Sequence, residues 1–218
     1  MSITLTELIA LSRRDLRDPS GATATWSDAE LGDMIRWGIQ EVSRLRPREV
    51  YQEITYTAPG IGSFNYLSGI TVSHPYRVDV YSPLDANNKS AYLYDVPFSQ
   101  DAKAMGGWDY VDGKIMMPPY FILPNNAVVR VFGYKHYTQP ALGSDTTELD
   151  TDGINAVRAW VQKEAMFTLI PDRVRFQQWA VAAGASDTNS IQLAQLYQQA
   201  NRRWEAIAKS IRWIRKSP

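Results

Sequence analysis

Apolar residues recur with a period of two between residues 50 and 137, and with a helical period on either side of that stretch. Sixteen of the 25 aromatic residues fall inside it. Alternation of apolar and polar residues, enriched in aromatic and β-branched types, is typical of strands. The clearest runs are Tyr51 to Thr57, Arg77 to Tyr81, Ala91 to Val96 and Val128 to Tyr134. Asp112-Gly113 predicts a type I′ hairpin turn.

Two helices are predicted before this stretch. In the first, Thr4 and Glu7 have the spacing of a capping box ahead of an apolar face formed by Leu5, Leu8, Ile9 and Leu16. The break at Asp18-Pro19-Ser20-Gly21 ends it.

The second helix is predicted to begin in the segment Trp26–Leu31. Ser27 can cap it and Glu30 can return the hydrogen bond, while Trp26 and Leu31 occupy the two positions of a hydrophobic staple. These four residues form a helix-capping box, and Pro47 marks the end of the helix.

Three more helices are predicted after Thr151. One ends before Pro171, and the next begins there and stops near Gly184. The last runs from about Ser190 to Ile214. Its apolar residues follow steps of four and three, which indicates a heptad-type stripe: Leu193, Tyr197, Ala200, Trp204, Ile207, Ile211 and Ile214.

The order of elements therefore predicts an α+β fold. We expect the N- and C-terminal helices, residues 1–49 and 138–218, to form one helical bundle domain with a C-terminal docking helix. We expect residues 50–137 to form an antiparallel β-rich insertion domain.

The sequence contains no catalytic motif that we recognise. It has no cysteine, which excludes disulfides, thiolate catalysis and cysteine-based zinc sites. His74 and His136 have no partnered nucleophile nearby and are interpreted as hydrogen-bonded strand or loop residues. Asp150-Thr151-Asp152-Gly153 is incomplete as a calcium loop and is interpreted as a helix N-cap. We expect no enzymatic activity, no cofactor and no metal.

No apolar run approaches the ~20 residues that span a bilayer, and the first residues lack the features of a signal peptide. The expectation is a soluble cytoplasmic protein without a membrane partner. The chain has 23 acidic and 23 basic residues. This balance argues against a protein that binds nucleic acid over its whole surface.

The charge is nevertheless uneven along the chain. After Thr188 the only acid is Glu205, whereas six residues are basic: Arg202, Arg203, Lys209, Arg212, Arg215 and Lys216. This asymmetry predicts a basic patch directed at one partner, or complementary contacts between subunits.

The last helix also interleaves tryptophan with arginine, and three interpretations stay open. Tryptophan and arginine are enriched in protein–protein hot spots, so a protein interface is favoured; a solvated face and a nucleic-acid-binding module are the alternatives. The candidate portal or subunit interface is Arg202, Arg203, Trp204, Ile207, Ile211, Arg212, Trp213 and Arg215.

A carbohydrate-binding or hydrolytic module in the β-rich stretch is a further alternative. Trp108, Tyr110 and Tyr120 would form its sugar platform, and Asp109 and Asp112 would supply acids. Because these two aspartates flank the predicted hairpin turn, a loop role suits them better.

The helical segments resemble tailed-phage head-to-tail connector adaptors. The similar features are Asp15-Leu16-Arg17-Asp18, the Trp26–Leu31 box with its amphipathic helix, and Leu169-Ile170-Pro171-Asp172-Arg173 followed by an aromatic-rich helix, a linker and a basic helix. The layout of helices around a central β part is also similar to the tail tubular adaptor of short-tailed phages.

The resemblance implies a structural protein of the virion neck, present in the host cytoplasm during assembly. It implies docking on the portal protein as a homo-oligomeric ring, in twelve copies, above a tail or nozzle protein. Double-stranded DNA would pass through the ring without sequence-specific binding. In such adaptors the C-terminal segment commonly engages the portal, which would give the segment from Arg202 to Lys216 a docking role. The resemblance carries no catalytic residue.

Overall fold

The computed structural model describes residues 2–57, 65–85, 87–96, 107–117, 123, 125–184 and 190–212. The fold is α+β, with 44% helix and 26% strand, so the predicted class is confirmed. Contacts between Cα atoms divide the chain into two compact units. A helical unit comprises Met1–Pro47 and His136–Trp213, and a β unit comprises Arg48–Lys135. That each unit is an independent domain stays a prediction.

The helical unit contains five described helices and one short pair of strands. The helices are α1 (Leu5–Leu16), α2 (Asp28–Leu45), α3 (Thr151–Leu169), α4 (Arg173–Ala182) and α5 (Ser190–Ile211). β1 (Ile3–Thr4) pairs antiparallel with β9 (Thr146–Thr147). Asp150 caps α3 by accepting a 2.8 Å hydrogen bond from the backbone N–H of Gly153, which confirms the predicted N-cap.

Helix α3 lies at the centre of this unit, because α1, α2, α4 and α5 all contact it. Its apolar residues join one continuous core, which includes Leu8, Ile35 and Leu169 with no exposed surface. Helices α2 and α3 approach each other closely at Gly38, where there is little room for a side chain. A Cβ built there would lie 3.0 Å from Cδ1 of Trp160 and 3.3 Å from Cγ1 of Val157.

The start of α2 is fixed by reciprocal hydrogen bonds. Ser27 accepts a hydrogen bond from the N–H of Glu30, and the Glu30 carboxylate accepts one from the N–H of Ser27 at 2.8 Å. Arg175 of α4 donates a second bond to the same carboxylate. Trp26 and Leu31 are fully buried in the core, and the indole N–H of Trp26 donates to Thr168 at 3.0 Å.

A buried arginine joins α1 to the α1–α2 turn. Arg13 donates hydrogen bonds to the carboxylates of Asp18 and Asp28 and to the carbonyl oxygens of Pro19 and Trp26. The Asp18 side chain is completely buried. Since a buried charge needs a partner, this cluster holds the turn in place between the two helices.

The β unit contains two antiparallel sheets. The first has the order β2–β8–β4–β5 and the second the order β3–β7–β6. Their strands are β2 (Arg48–Thr55), β3 (Asn65–Leu67), β4 (Ser73–Pro83), β5 (Tyr92–Val96), β6 (Asp109–Val111), β7 (Lys114–Met117) and β8 (Ala127–Lys135). The predicted hairpin is confirmed: β6 pairs with β7 through a turn in which Asp112 and Gly113 have φ of 50° and 74°.

The two faces of the four-stranded sheet differ in character. One face buries Val78, Val80, Val129 and Val131 in the core of the β unit. On the outer face Arg130 lies between two rings, with its guanidinium carbon 4.4 Å from the ring centroids of both Tyr51 and Tyr81. Glu53 pairs with Arg130 at 2.6 Å.

Candidate docking surface

Helix α5 carries the predicted docking residues, and its apolar stripe is the reason for its position. Leu193, Ala200, Trp204 and Ile211 are at most 8% exposed, and Tyr197 and Ile207 are partly buried against the same core. Most contacts of α5 are with α3. The stripe therefore belongs to the interior of this chain, and α5 is folded against the bundle rather than extended as a free arm.

The end of this helix differs from the predicted end at Ile214, which lies outside the described residues. Helix α5 ends at Ile211, and Arg212 is not helical. Periodicity continues to Ile214 in the sequence, but a helix in a protein is stabilised chiefly by tertiary packing, and the last described stripe residue in the core is Ile211.

The face of α5 that points away from the core carries the basic residues Arg202 and Lys209, with the acidic Glu205 between them. Arg202 and Lys209 lie seven residues apart, two helical turns along one side, and Arg212 follows just past the helix end. All three are exposed, and none of them forms an ion pair with a carboxylate of the described chain. We call Arg202, Lys209 and Arg212 the basic stripe.

The eight predicted interface residues therefore differ in their exposure to solvent. Arg202, Arg203 and Arg212 are exposed, whereas Trp204 and Ile211 are buried and Ile207 is half-buried. Trp213 and Arg215 lie outside the described residues. Because Trp204 packs inside the bundle, it has no free ring face on which a base could stack.

Arg203 lies on a different face of α5 from the basic stripe. Its Nη1 donates a 2.9 Å hydrogen bond to Oε1 of Gln162 in α3. It borders a groove of about 630 Å³ whose walls come from α1, α3, α4 and α5. Sequence reasoning missed this groove, since its residues share no local pattern and meet only after the helices pack.

The surface of α2 holds one prominent apolar residue that the sequence did not single out. Trp37 is 57% exposed although its neighbour Gly38 is buried. Exposed tryptophan is a residue type enriched at the centre of protein interfaces.

The proposed sugar platform is wrong at Trp108, which is 1% exposed and lies in the core of the β unit. Tyr110 is exposed, and Tyr120 lies outside the described residues. Asp109 and Asp112 belong to the β6–β7 hairpin.

No group of three or more histidine, aspartate and glutamate side chains in the described ranges is placed to hold a metal ion. His74 and His136 are both exposed, and His74 has φ of 48°. A search of the described helices finds none that is long and apolar enough to cross a membrane.

Comparisons with known proteins give likenesses to solved structures only. No family model and no curated protein matches the chain. A solved structure described as the neck of an empty GTA particle computed with C6 symmetry aligns with 74% of this chain and 81% of its own, at 16% identity and a TM-score of 0.26. A likeness at this TM-score is too weak to assign this chain a fold or a role.

Proposed function

We propose that this chain is a structural, non-enzymatic subunit of a head-to-tail connector ring, which docks on a portal protein and continues the DNA channel toward the tail. The observation that supports it best is the basic stripe. Arg202 and Lys209 stand on a helix that is anchored in the core, so their charges are held on a rigid surface, and Arg212 directly follows the last residue of that helix. The sequence resemblance to connector adaptors agrees with this role.

Rigid presentation matters for docking between rings. None of the three residues of the basic stripe pairs with a carboxylate among the described residues, so all three can pair with carboxylates of another protein. Because α5 is already folded, docking does not carry the entropic cost of ordering a helix. The acidic partner surface would lie on the portal.

A ring subunit also needs lateral contacts that differ on its two sides, so that rotation closes the ring. We assign Trp37 to one lateral contact, since a tryptophan that is more than half exposed on a well-packed helix gains most from burial by a neighbouring subunit.

We assign the outer face of the four-stranded sheet, with Tyr51, Arg130 and Tyr81, to the contact with the tail or nozzle protein.

A nucleic-acid-binding module remains the second candidate, because the basic stripe would also attract phosphates. The two candidate functions predict different binding partners: the portal protein for the connector subunit and duplex DNA for the nucleic-acid-binding module. The aromatic contribution expected for single-stranded binding is reduced, since Trp204 is buried.

The test is docking of a charge-reversed variant. R202E/K209E/R212E is mixed with the portal protein of the same virion and analysed by co-sedimentation, beside wild type and the control R14E/K135E/R173E. The control reverses three exposed basic residues elsewhere in the chain. Wild type and control should sediment with the portal, and the stripe variant should stay in the supernatant.

Equal docking of both variants, or no docking of wild type, would overturn the proposed role of the stripe. Duplex DNA in place of the portal tests the second candidate. Binding to DNA that is lost in the stripe variant and falls steeply with salt would favour it.

A further inference from the structure

The groove beside Arg203 has the chemistry of a peptide site, and we propose that it binds an extended acidic segment of a partner protein. The inference goes beyond the proposed function and rests on residues outside the basic stripe. All of the residues that form the groove belong to the helical unit.

The floor of the groove is apolar. Leu16, Met166, Trp179 and Ala200 lie there and are at most 6% exposed. The indole N–H of Trp179 donates to the carbonyl of Leu16 at 2.9 Å, which fixes the floor between α1 and α4. A volume of about 630 Å³ is within the range of sites that enclose a ligand.

The rim is rich in side-chain amides. Gln192, Gln195 and Gln199 line one edge at spacings of three and four residues, and Gln162 faces them from α3. An amide side chain offers both a donor and an acceptor, which matches the alternating N–H and C=O groups of an extended peptide.

The same pairing occurs elsewhere in this molecule. Gln52 donates from Nε2 to the carbonyl of Gly69 at 2.7 Å, and its Oε1 accepts from the N–H of Thr71 at 2.7 Å. One glutamine thus holds a short stretch of main chain through both atoms of its amide. Two of the glutamines that line the groove, Gln195 and Gln199, lie four residues apart on α5.

The charge of the groove favours an acidic peptide. Among the described residues that line the groove, Asp15 is the only acid, and Arg158 neutralises it through two hydrogen bonds of 2.7 Å. Arg17 and Arg203 line it as well, and neither forms an ion pair with any carboxylate within the described part of the chain. The groove therefore carries two uncompensated positive charges, which favours a peptide that bears carboxylates.

Arg17 occupies a backbone conformation that does not suit it. It follows α1 as the C-cap residue with φ of 52°, the left-handed region where glycine is preferred. Its N–H still closes the helix by donating to Arg13 and Arg14 carbonyls. The arginine side chain at this position borders the groove.

Nucleic acid fits this groove less well than a peptide. Trp179, the aromatic residue of the lining, is 6% exposed with its N–H committed to Leu16. It offers no open ring face for a base, and stacking supplies much of the affinity of single-strand sites. Amides over an apolar floor suit alternating polar main chain and apolar side chains.

The experiment uses the full chain and three labelled probes. They are a short fluorescent peptide of alternating aspartate and leucine, the same peptide with lysine for aspartate, and single-stranded oligo-dT of equal negative charge. Fluorescence anisotropy measures binding. We expect saturable binding of the acidic peptide, no binding of the lysine peptide, and weaker binding of oligo-dT.

Two groove variants separate loss of the site from loss of the fold. R17G removes a side chain of the groove while placing the residue that prefers the left-handed conformation, so the melting temperature should not fall. R203A removes the other charge from an exposed position. Each should weaken acidic-peptide binding by about tenfold, while K135E, a charge reversal at an exposed position of the β unit, should leave it unchanged.

The proposal is overturned if the acidic peptide does not bind, if both peptides bind alike, or if R17G and R203A bind as tightly as wild type. Tighter binding of oligo-dT, lost in the same variants, would also overturn it by identifying a polyanion site. Co-sedimentation of the stripe variant with the portal tests the proposed docking role, whereas peptide binding to R17G and R203A tests the groove. Because the two experiments use different variants and different partners, failure of one proposal can be distinguished from failure of the other.

Discussion

The indole rings of Trp160 in α3 and Trp204 in α5 meet edge to face, with 5.0 Å between their centroids and 77° between their planes. Gly38 of α2 approaches Trp160 as well, and the ammonium of Lys163 lies 3.8 Å from its ring centroid. Trp160 therefore connects α2 and α5 through one side chain. The position of the basic stripe depends on this packing, because it fixes α5 on the bundle.

Replacing Trp204 with alanine should destabilise the helical unit strongly. The side chain is 8% exposed and fills the space beside Trp160. Truncation of a buried tryptophan costs about 3–5 kcal/mol. Urea unfolding followed by circular dichroism measures the change in the free energy of unfolding.

Trp37→Ala is the matched control for that measurement. Because Trp37 is 57% exposed, its loss should change the free energy of unfolding by no more than about 0.5 kcal/mol. Similar stability losses for the two variants would contradict the placement of α5 in the core.

Two glycines of α2 should respond in opposite directions to alanine. At Gly38 the new Cβ would meet Trp160 at 3.0 Å, and overpacking of this kind costs about 1–3 kcal/mol. At Gly32 the nearest atoms are those of the flexible Arg36 guanidinium at 3.6 Å, so the helix gains about 0.5–1 kcal/mol from alanine. Thermal melts of both variants check the sign of each change. A stabilised Gly38→Ala protein would show that α2 and α3 are not in close contact there.

Loss of Arg13 should leave a buried carboxylate without its partner. The Asp18 side chain is 0% exposed and pairs with Arg13. Removing one member of a buried pair costs about 3–5 kcal/mol, so Arg13→Ala should unfold at a much lower urea concentration. Arg13→Lys should recover only part of the stability, since lysine lacks the planar fork that reaches several acceptors. Arg14→Ala, on the exposed side of α1, should be near neutral.

Acid should weaken the start of α2 through Glu30. Burial acts to raise the pKa of this carboxyl, but hydrogen bonds from Arg175 and Ser27 outweigh it and hold the pKa below its ordinary value. Because the pKa is lower in the folded chain, Glu30 contributes stability above its unfolded pKa, and that contribution disappears as the pH falls through the folded value.

Urea midpoints measured from about pH 6 to pH 3 test this point. Glu30→Gln should be less stable than wild type at the upper end, and the difference between the two proteins should shrink toward the lower end. A constant difference across this interval would contradict the role of ionised Glu30.

Local signals in the sequence predicted much of the fold, because they act within a few residues. Ser27 with Glu30 fixes a helix start, and Asp112-Gly113 fixes a hairpin turn, whatever the remaining chain does. The stripe through Leu193 and Trp204 identified the buried face of α5. Periodicity does not identify the partner, however, and only the packing of Trp204 against Trp160 shows that the stripe faces helices of its own chain.

The peptide groove could not be predicted for a related reason. Arg17, Gln162 and Arg203 are far apart in the sequence, and their proximity depends on how four helices pack. Nothing local in the sequence distinguishes Gln195 from any exposed glutamine. The end of α5 at Ile211 was missed because it depends on where core contacts stop.

Electron microscopy tests the central claim, assembly into a connector ring, most directly. The purified chain is imaged in negative stain alone and after mixing with the portal protein of the same virion. The account predicts closed rings with a central hole, formed by the chain alone or on the portal, and seated on the portal in the mixture. Particles that remain monomeric in both samples, with portal rings left bare, would contradict it.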